Sequence, residues 1–130
     1  MQYTLFVSDH GHCYGSMRLM TQYSGNDIYC DLIIPKLIEI EVVYEDKQCI
    51  AIKHTKPYWP VHIVVTPKQH VDSLLDVSPE VLTHLMKVVK ELSAKVVADN
   101  GSCRVLTNLG EYQDSKHLHI HISSGEPLRK

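Results

Sequence analysis

His117, His119 and His121 stand at every second position, separated by Leu118 and Ile120 and followed by Ile122. An extended strand sends alternate side chains to opposite faces. The three imidazoles therefore share one face, and the three aliphatic chains share the other. With nine histidines in 130 residues, three set positions fill by chance in only ~4% of such chains, so the pattern calls for a chemical reading. Neutral imidazole is a good zinc ligand. It is also a nucleophile that can attack phosphorus at neutral pH, because it is often unprotonated there. Neighbouring imidazoles can then hold its tautomer and donate to phosphate oxygens. An exposed polar strand face is the bland alternative. Taken alone, the strand leaves metal site and nucleophile level.

The flanking residues favour phosphorus. Asn108 and Gln113 flank Gly110 in a polar loop just before the histidines. Side-chain amides and loop N–H groups are neutral donors suited to phosphate oxygens, although the same residues also suit a simple turn. Far upstream, His62 and His70 bracket the apolar run Ile63-Val64-Val65. Either histidine alone is better explained as structural or exposed.

These residues need a scaffold, and the sequence supplies one. Residues 41–44 and 49–53 are short apolar runs around Glu45-Asp46-Lys47-Gln48, the pattern of a hairpin. Residues 61–66 are β-branched and bounded by Pro60 and Pro67, so they form a strand. Ser78-Pro79 reads as a helix cap and first turn. Val81, Leu82, Leu85, Val88, Val89, Leu92 and Val96 then recur at helical spacing up to the stop at Gly101. This predicts one long helix over residues 79–99, whose apolar stripe is core or dimer surface. Residues 104–107 and 116–123 are further strands, and residues 2–7 form a short first one. Residues 8–26 show no period and read as irregular chain. His84 reads as an exposed helix position, and Tyr58 and Trp59 as loop anchors or the wall of a base pocket. Strands, one helix, then strands make an α+β fold with a mainly antiparallel sheet.

Composition narrows the classes. Thirteen basic and fifteen acidic side chains leave a net charge of −2, with no Lys/Arg block, so nucleic acid is not an expected partner. No apolar run reaches the ~18 residues of a membrane helix. The first 14 residues lack the parts of a signal peptide. The four cysteines, Cys13, Cys30, Cys49 and Cys103, are widely scattered. In a reducing cytoplasm, the expected location, they are thiols or metal ligands rather than disulfides.

Together these segments resemble the histidine-triad (HIT) superfamily. The pattern His-φ-His-φ-His-φ-φ, with φ apolar, appears as HLHIHIS, with Ser123 departing at the last place. VHIVVTPKQH resembles the family's strand ending in Pro-Lys-x-His. VYEDKQCIAI resembles its hairpin, and RVLTNLGEYQ its Asn-bearing strand and loop. The resemblance covers residues 29–128, and we divide the chain into an N-terminal extension, 1–26, and a HIT-like domain, 27–130. It implies a five-stranded antiparallel sheet with one long helix, a homodimer, and nucleotidyl hydrolase or transferase chemistry on a nucleotide, a purine being the expected base. By position it implies His119 as the nucleophile, supported by His62, His117 and His121, with Asn108 and Gln113 lining the phosphate site.

Two positions depart from that pattern. His54 stands where the family carries an Asp for the ribose hydroxyls, and a neutral imidazole offers only one donor and one acceptor. Asp114 stands where a hydroxyl would bond phosphate, and a carboxylate there repels phosphate unless protonated, turned away or offset by Lys116. The resemblance also implies a structural zinc site. Asp27, Cys30, His70 and His117 correspond to its ligands, with Asp27 replacing one thiolate. The chemistry itself requires no cofactor. His10, His12 and Cys13 form a second histidine–cysteine group, which reads as polar loop. The expected activity is hydrolysis of nucleoside 5'-phosphoramidates or related conjugates through a nucleotidyl-histidine. The alternatives are a dinucleoside polyphosphate hydrolase, a non-catalytic nucleotide-binding module on the same fold, and a pure metal-binding protein.

Overall fold

The computed structural model describes residues 23–129. The expected strand at 2–7, the group at His10, His12 and Cys13, and most of the expected N-terminal extension lie outside the described residues. Five strands follow in chain order: β1 (Val42–Glu45), β2 (Cys49–Lys53), β3 (Val61–Pro67), β4 (Arg104–Leu106) and β5 (Ile120–Ser124). One long helix, α1 (Pro79–Asn100), lies between β3 and β4. The strands form a single antiparallel sheet in the order β1-β2-β3-β5-β4. Consecutive hairpins build β1-β2-β3. The last strand inserts between β3 and β4, so residues distant in sequence meet at the sheet centre.

Local chemistry sets the ends of α1. Ser78 caps it by accepting from the Val81 N–H at 3.3 Å, and Pro79 follows at the first helical position, where no donor is needed. Gly101 closes it in the left-handed region at φ 86°, with its N–H bonded to Val97 O, a conformation that costs a side-chain-bearing residue energy. The predicted stripe is buried: Leu85, Val88, Val89, Leu92 and Val96 pack on Cys49, Ala51, Ile63, Val65, Leu118, Ile120 and Ile122. Each large aliphatic chain buried there stabilises the fold by ~1.5–3 kcal/mol. His84 is not exposed as expected. It is half-buried, with Nε2 2.7 Å from Asp46 Oδ2.

The opposite face of the sheet carries a second cluster. Ile50, Ile52 and Val64 pack against Ile28, Tyr29, Leu32, Ile33 and Ile38. Tyr29–Ile33 form a single π-helical turn, closed by the Ile34 N–H on Tyr29 O at 2.8 Å. Pro35, which cannot donate within a helix, follows it. No helix among the described residues is long and apolar enough to cross a membrane.

The last strand is shorter than its alternating pattern predicts. Its ladder with β3 begins at Val65↔Ile120. Residues 117–119 spend their backbone groups elsewhere. The Leu118 N–H goes to Val71 O, Leu118 O accepts from Thr66 Oγ1, and His119 O accepts from Thr107 Oγ1. This segment is held by loop and side-chain partners rather than by a strand.

Candidate functional site

Sheet register brings the histidines together. His121 on β5 is opposite Val64 of β3, and His62 is opposite Ser123, so the rings of His62 and His121 lie side by side on the face away from α1. Fixed backbone partners settle their tautomers. The Tyr58 N–H donates to His62 Nδ1 at 3.0 Å, so His62 carries its proton on Nε2. That Nε2–H donates to His121 Nδ1 at 2.9 Å, which puts the His121 proton on Nε2. His121 Nε2 is buried and has no hydrogen-bond partner among the described residues. His119 is oriented by a carbonyl instead: its Nδ1–H donates to His117 O at 2.7 Å, leaving the Nε2 lone pair free. The His119 and His121 rings meet edge to face, centroids 5.0 Å apart.

Burial keeps these rings neutral. It lowers His62 and His121 to about 3, with neighbouring imidazoles adding to the effect. It lowers His54 to about 4 and moves His119 down as well. His119 Nε2 is therefore an unprotonated nucleophile at neutral pH, beside an unspent donor on His121.

The rings open into a cavity of about 370 Å³ whose lining includes His54, Asn108, Asp114, His119 and His121. The lining also includes the aromatic and apolar residues Tyr29, Tyr58, Trp59 and Leu106. Arg104 and Arg129 stack their guanidinium groups over Trp59 and Tyr58, each 5.4 Å from the ring centroid. His54 stacks on His62 with centroids 4.3 Å apart. The Lys56 N–H donates to His54 Nδ1 at 3.0 Å, so the His54 proton sits on Nε2.

Two expected site residues lie elsewhere. Gln113 is buried outside the cavity lining, and its Nε2 donates to Asp72 O at 2.5 Å. The 3₁₀ turn Gly110–Tyr112 precedes it, and its amide ties the loop to the segment after β3 rather than facing phosphate. His117 serves the cavity through its backbone carbonyl, while its imidazole is fully buried at a different cluster. The sequence reading also missed lining residues. Tyr29, Lys56, Leu106 and Arg129 reach the cavity from separate segments, and no local pattern marks them.

His117 belongs to a second arrangement. Ligand atoms of Asp27, Cys30, His70 and His117 all lie within 4.8 Å of one another. His117 Nε2–H donates to Pro67 O at 2.7 Å, and His70 Nε2 meets Asp72 Oδ1 at 2.7 Å. Both rings thus turn Nδ1 inward, to 3.0 Å and 2.6 Å from Asp27 Oδ2. Cys30 Sγ is 3.4 Å from His117 Nδ1 and 3.8 Å from His70 Nδ1. Two inward nitrogens, a thiol and a carboxylate converge, and only a proton or a cation between them relieves the lone-pair repulsion. Outer hydrogen bonds that aim imidazole ligands inward are what a zinc centre needs. Burial raises the Asp27 carboxyl, but the adjoining His117 ring and the Cys30 N–H outweigh this and hold it well below its ordinary range. Burial and Asp27 push the Cys30 thiol up to about 11. The donor set fits a closed tetrahedral zinc site.

An antiparallel sheet backed by one helix, with an imidazole-lined cavity on the face away from that helix, defines an α+β domain built around a histidine cluster. The HIT domain family matches residues 36–128, and the chain belongs to this histidine-triad family. An uncharacterized HIT-like protein of Synechococcus elongatus is 39% identical over 101 residues, covering 74% of this chain and 88% of the relative. The crystal structure of a hypothetical histidine triad nucleotide-binding protein from Sulfolobus tokodaii is 34% identical, with a TM-score of 0.69 over 75% of this chain and 67% of that one. A HIT family hydrolase from Legionella pneumophila is 26% identical, with a TM-score of 0.68 over 80% of this chain and 96% of that one. The five-stranded antiparallel sheet with one long helix matches the α+β fold of these structural neighbours.

Proposed function

We propose that this chain hydrolyses nucleoside 5'-phosphoramidates or related nucleotide conjugates through a covalent nucleotidyl-histidine. The observation that carries the reading is the His119 tautomer: Nδ1–H is held by His117 O at 2.7 Å, and Nε2 is left unprotonated toward the cavity. In the first step the Nε2 lone pair forms a bond to the α-phosphorus, and the bond from phosphorus to the leaving nitrogen breaks. The amine leaves with a proton drawn from water. In the second step water attacks phosphorus, the bond to Nε2 breaks, the nucleoside monophosphate departs and the proton returns to solvent. His121 Nε2–H, buried without a partner, donates to an equatorial phosphoryl oxygen as charge develops there. The Tyr58 and Trp59 rings, set edge to face, and Leu106 supply apolar surface for a purine.

Asp114 favours an amine over a polyphosphate as leaving group. Its carboxylate shares the lining with His119, where it attracts a cationic amine and repels an anionic chain. The free thiols of Cys30, Cys49 and Cys103 suit a cytoplasmic setting. Val97 on α1 and Val105 on β4, both exposed, offer apolar surface for a homodimer. The Asp27–Cys30–His70–His117 cluster holds a structural zinc in this reading, tying the π-helical turn to the segment before β5.

Intact-protein mass spectrometry, after an acid-free rapid quench with adenosine and guanosine phosphoramidates, tests the mechanism. Wild type carries a nucleotidyl adduct and releases amine, while His119→Ala shows neither and loses at least ~10³-fold in kcat. Turnover by His119→Ala at the wild-type rate would overturn the assignment. Tight nucleotide binding with no turnover of any conjugate would instead mark a binding module.

A further inference from the structure

The turn between β1 and β2 meets the first half of α1 at another group of donors, outside the cavity of His119. Ligand atoms of Asp46 in the turn, Cys49 at the start of β2 and His84 on α1 lie within 4.8 Å of one another. Asp46 is firmly placed. Its Oδ1 accepts from the Gln48 and Cys49 N–H groups at 2.7 Å and 2.8 Å, and its Oδ2 accepts from the Tyr44 hydroxyl at 2.8 Å. His84 Nε2 is 2.7 Å from the same Oδ2. Cys49 and His84 both line a cavity of about 340 Å³, with Gln69 and Glu80 on its wall.

A tie between hairpin and helix accounts for the Asp46–His84 pair, and the buried Cys49 thiol meets the same Asp46 carboxylate. Carboxylate, imidazole and thiol together form the mixed oxygen, nitrogen and sulfur set that borderline divalent ions prefer. Each donor comes from a rigid element: a turn held by two backbone bonds, a central strand, and a packed helix. We propose that Asp46, Cys49 and His84 form a second divalent metal site, of the zinc and cobalt class, with a further coordination position open to the adjoining cavity. On binding, Cys49 gives its thiol proton to solvent, and His84 moves its ring proton to Nδ1 and turns the Nε2 lone pair to the ion. The backbone and Tyr44 donors stay on the carboxylate as an outer shell. Three protein ligands and an open position distinguish this site from the four-donor cluster at His117.

Cobalt counting on the full-length metal-free chain tests this. Wild type, Cys49→Ala and His84→Asn are loaded with Co²⁺, counted by native mass spectrometry, and read by their thiolate-to-cobalt absorption. Wild type should hold one more cobalt per chain than either variant, and Cys49→Ala should lose the absorption due to this site. His84→Asn, at a partly exposed helix position, keeps the test valid if Cys49→Ala does not fold. Equal cobalt counts in wild type and in the folded variants would overturn the proposal, as would thiolate absorption that vanishes completely with Cys30→Ser alone.

Discussion

His62 Nε2 lies 2.9 Å from His121 Nδ1, and this one contact carries a backbone constraint from the Tyr58 N–H to a buried donor on a ring that lines the cavity. Because the Tyr58 N–H must donate, His62 must accept on Nδ1. His62 then donates, and His121 is left with its proton on Nε2. A loop amide thus sets the tautomer of a buried ring that it does not touch.

Breaking that relay is the first prediction. His62→Ala frees His121 to rotate or change tautomer, so its cavity donor is lost. Single-turnover kinetics on a phosphoramidate should show a fall of ~10²-fold in the chemical step, with a smaller change in KM. His62→Asn, whose amide can still donate toward His121 Nδ1, should recover part of the loss. Urea unfolding of His62→Ala should show ~1–3 kcal/mol of lost stability from the orphaned nitrogen. Wild-type kinetics in both variants would refute the relay.

Stability should fall on acidification well before carboxylates titrate. Unfolded imidazoles titrate near 6.5, whereas burial holds His62 and His121 at about 3 and His54 at about 4 in the fold. Below pH ~6.5 the unfolded state therefore binds more protons, and each such histidine removes ~1.4 kcal/mol per pH unit until its folded value is reached. In the metal-free chain Asp27, held low by His117 and Cys30 against its burial, adds loss in the same direction below its ordinary value. His70 in the metal-free chain, raised by Asp72 and then Asp27, acts oppositely: its contribution is full below ~6.5 and is lost as pH rises through its folded value. Urea midpoints at pH 7.5, 6 and 5 should decrease steadily, and a midpoint higher at pH 5 than at 7.5 would contradict the neutral cluster.

Zinc removal should weaken both stability and catalysis. His117 contributes its imidazole to the Asp27–Cys30 cluster and its carbonyl to His119. Cys30→Ala should therefore lose one zinc per chain by elemental analysis and lower Tm by more than ~5 °C. The same variant should lower kcat, because the carbonyl that orients His119 is no longer anchored. Unchanged zinc content in Cys30→Ala would exclude the cluster as a zinc site.

Asp114→Asn should shift leaving-group preference. Removing the carboxylate from the cavity lining relieves about 1 kcal/mol of repulsion against a polyphosphate. The ratio of kcat/KM for a dinucleoside polyphosphate over a phosphoramidate should rise by roughly five-fold. A ratio that falls would place Asp114 on the nucleoside side instead.

What the sequence alone determined lies within reach of local periodicity. The alternation at 117–122 places Leu118, Ile120 and Ile122 in the core beneath α1 and leaves the imidazoles on the other face. The 3.6-residue recurrence from Val81 to Val96, with Ser78, Pro79 and Gly101 at its ends, delimits α1 within a residue. The hairpin and β3 follow from short β-branched runs between turn and proline signals. Backbone geometry enforces such patterns over a few residues, so they survive without tertiary context.

Tertiary structure alone decided how the histidines divide their work. His117 meets Asp27 across 90 positions of chain, and His62 meets His121 across 59. Gln113 turns its amide to Asp72, 41 positions away, and His84 finds Asp46 at 38. Tyr29 reaches the His119 ring, centroids 5.0 Å apart, only because the π-helical turn packs on the sheet. No sequence period spans such distances. The insertion of β5 between β3 and β4 brings these groups together, and these side chains then bond the partners that the register has placed within reach.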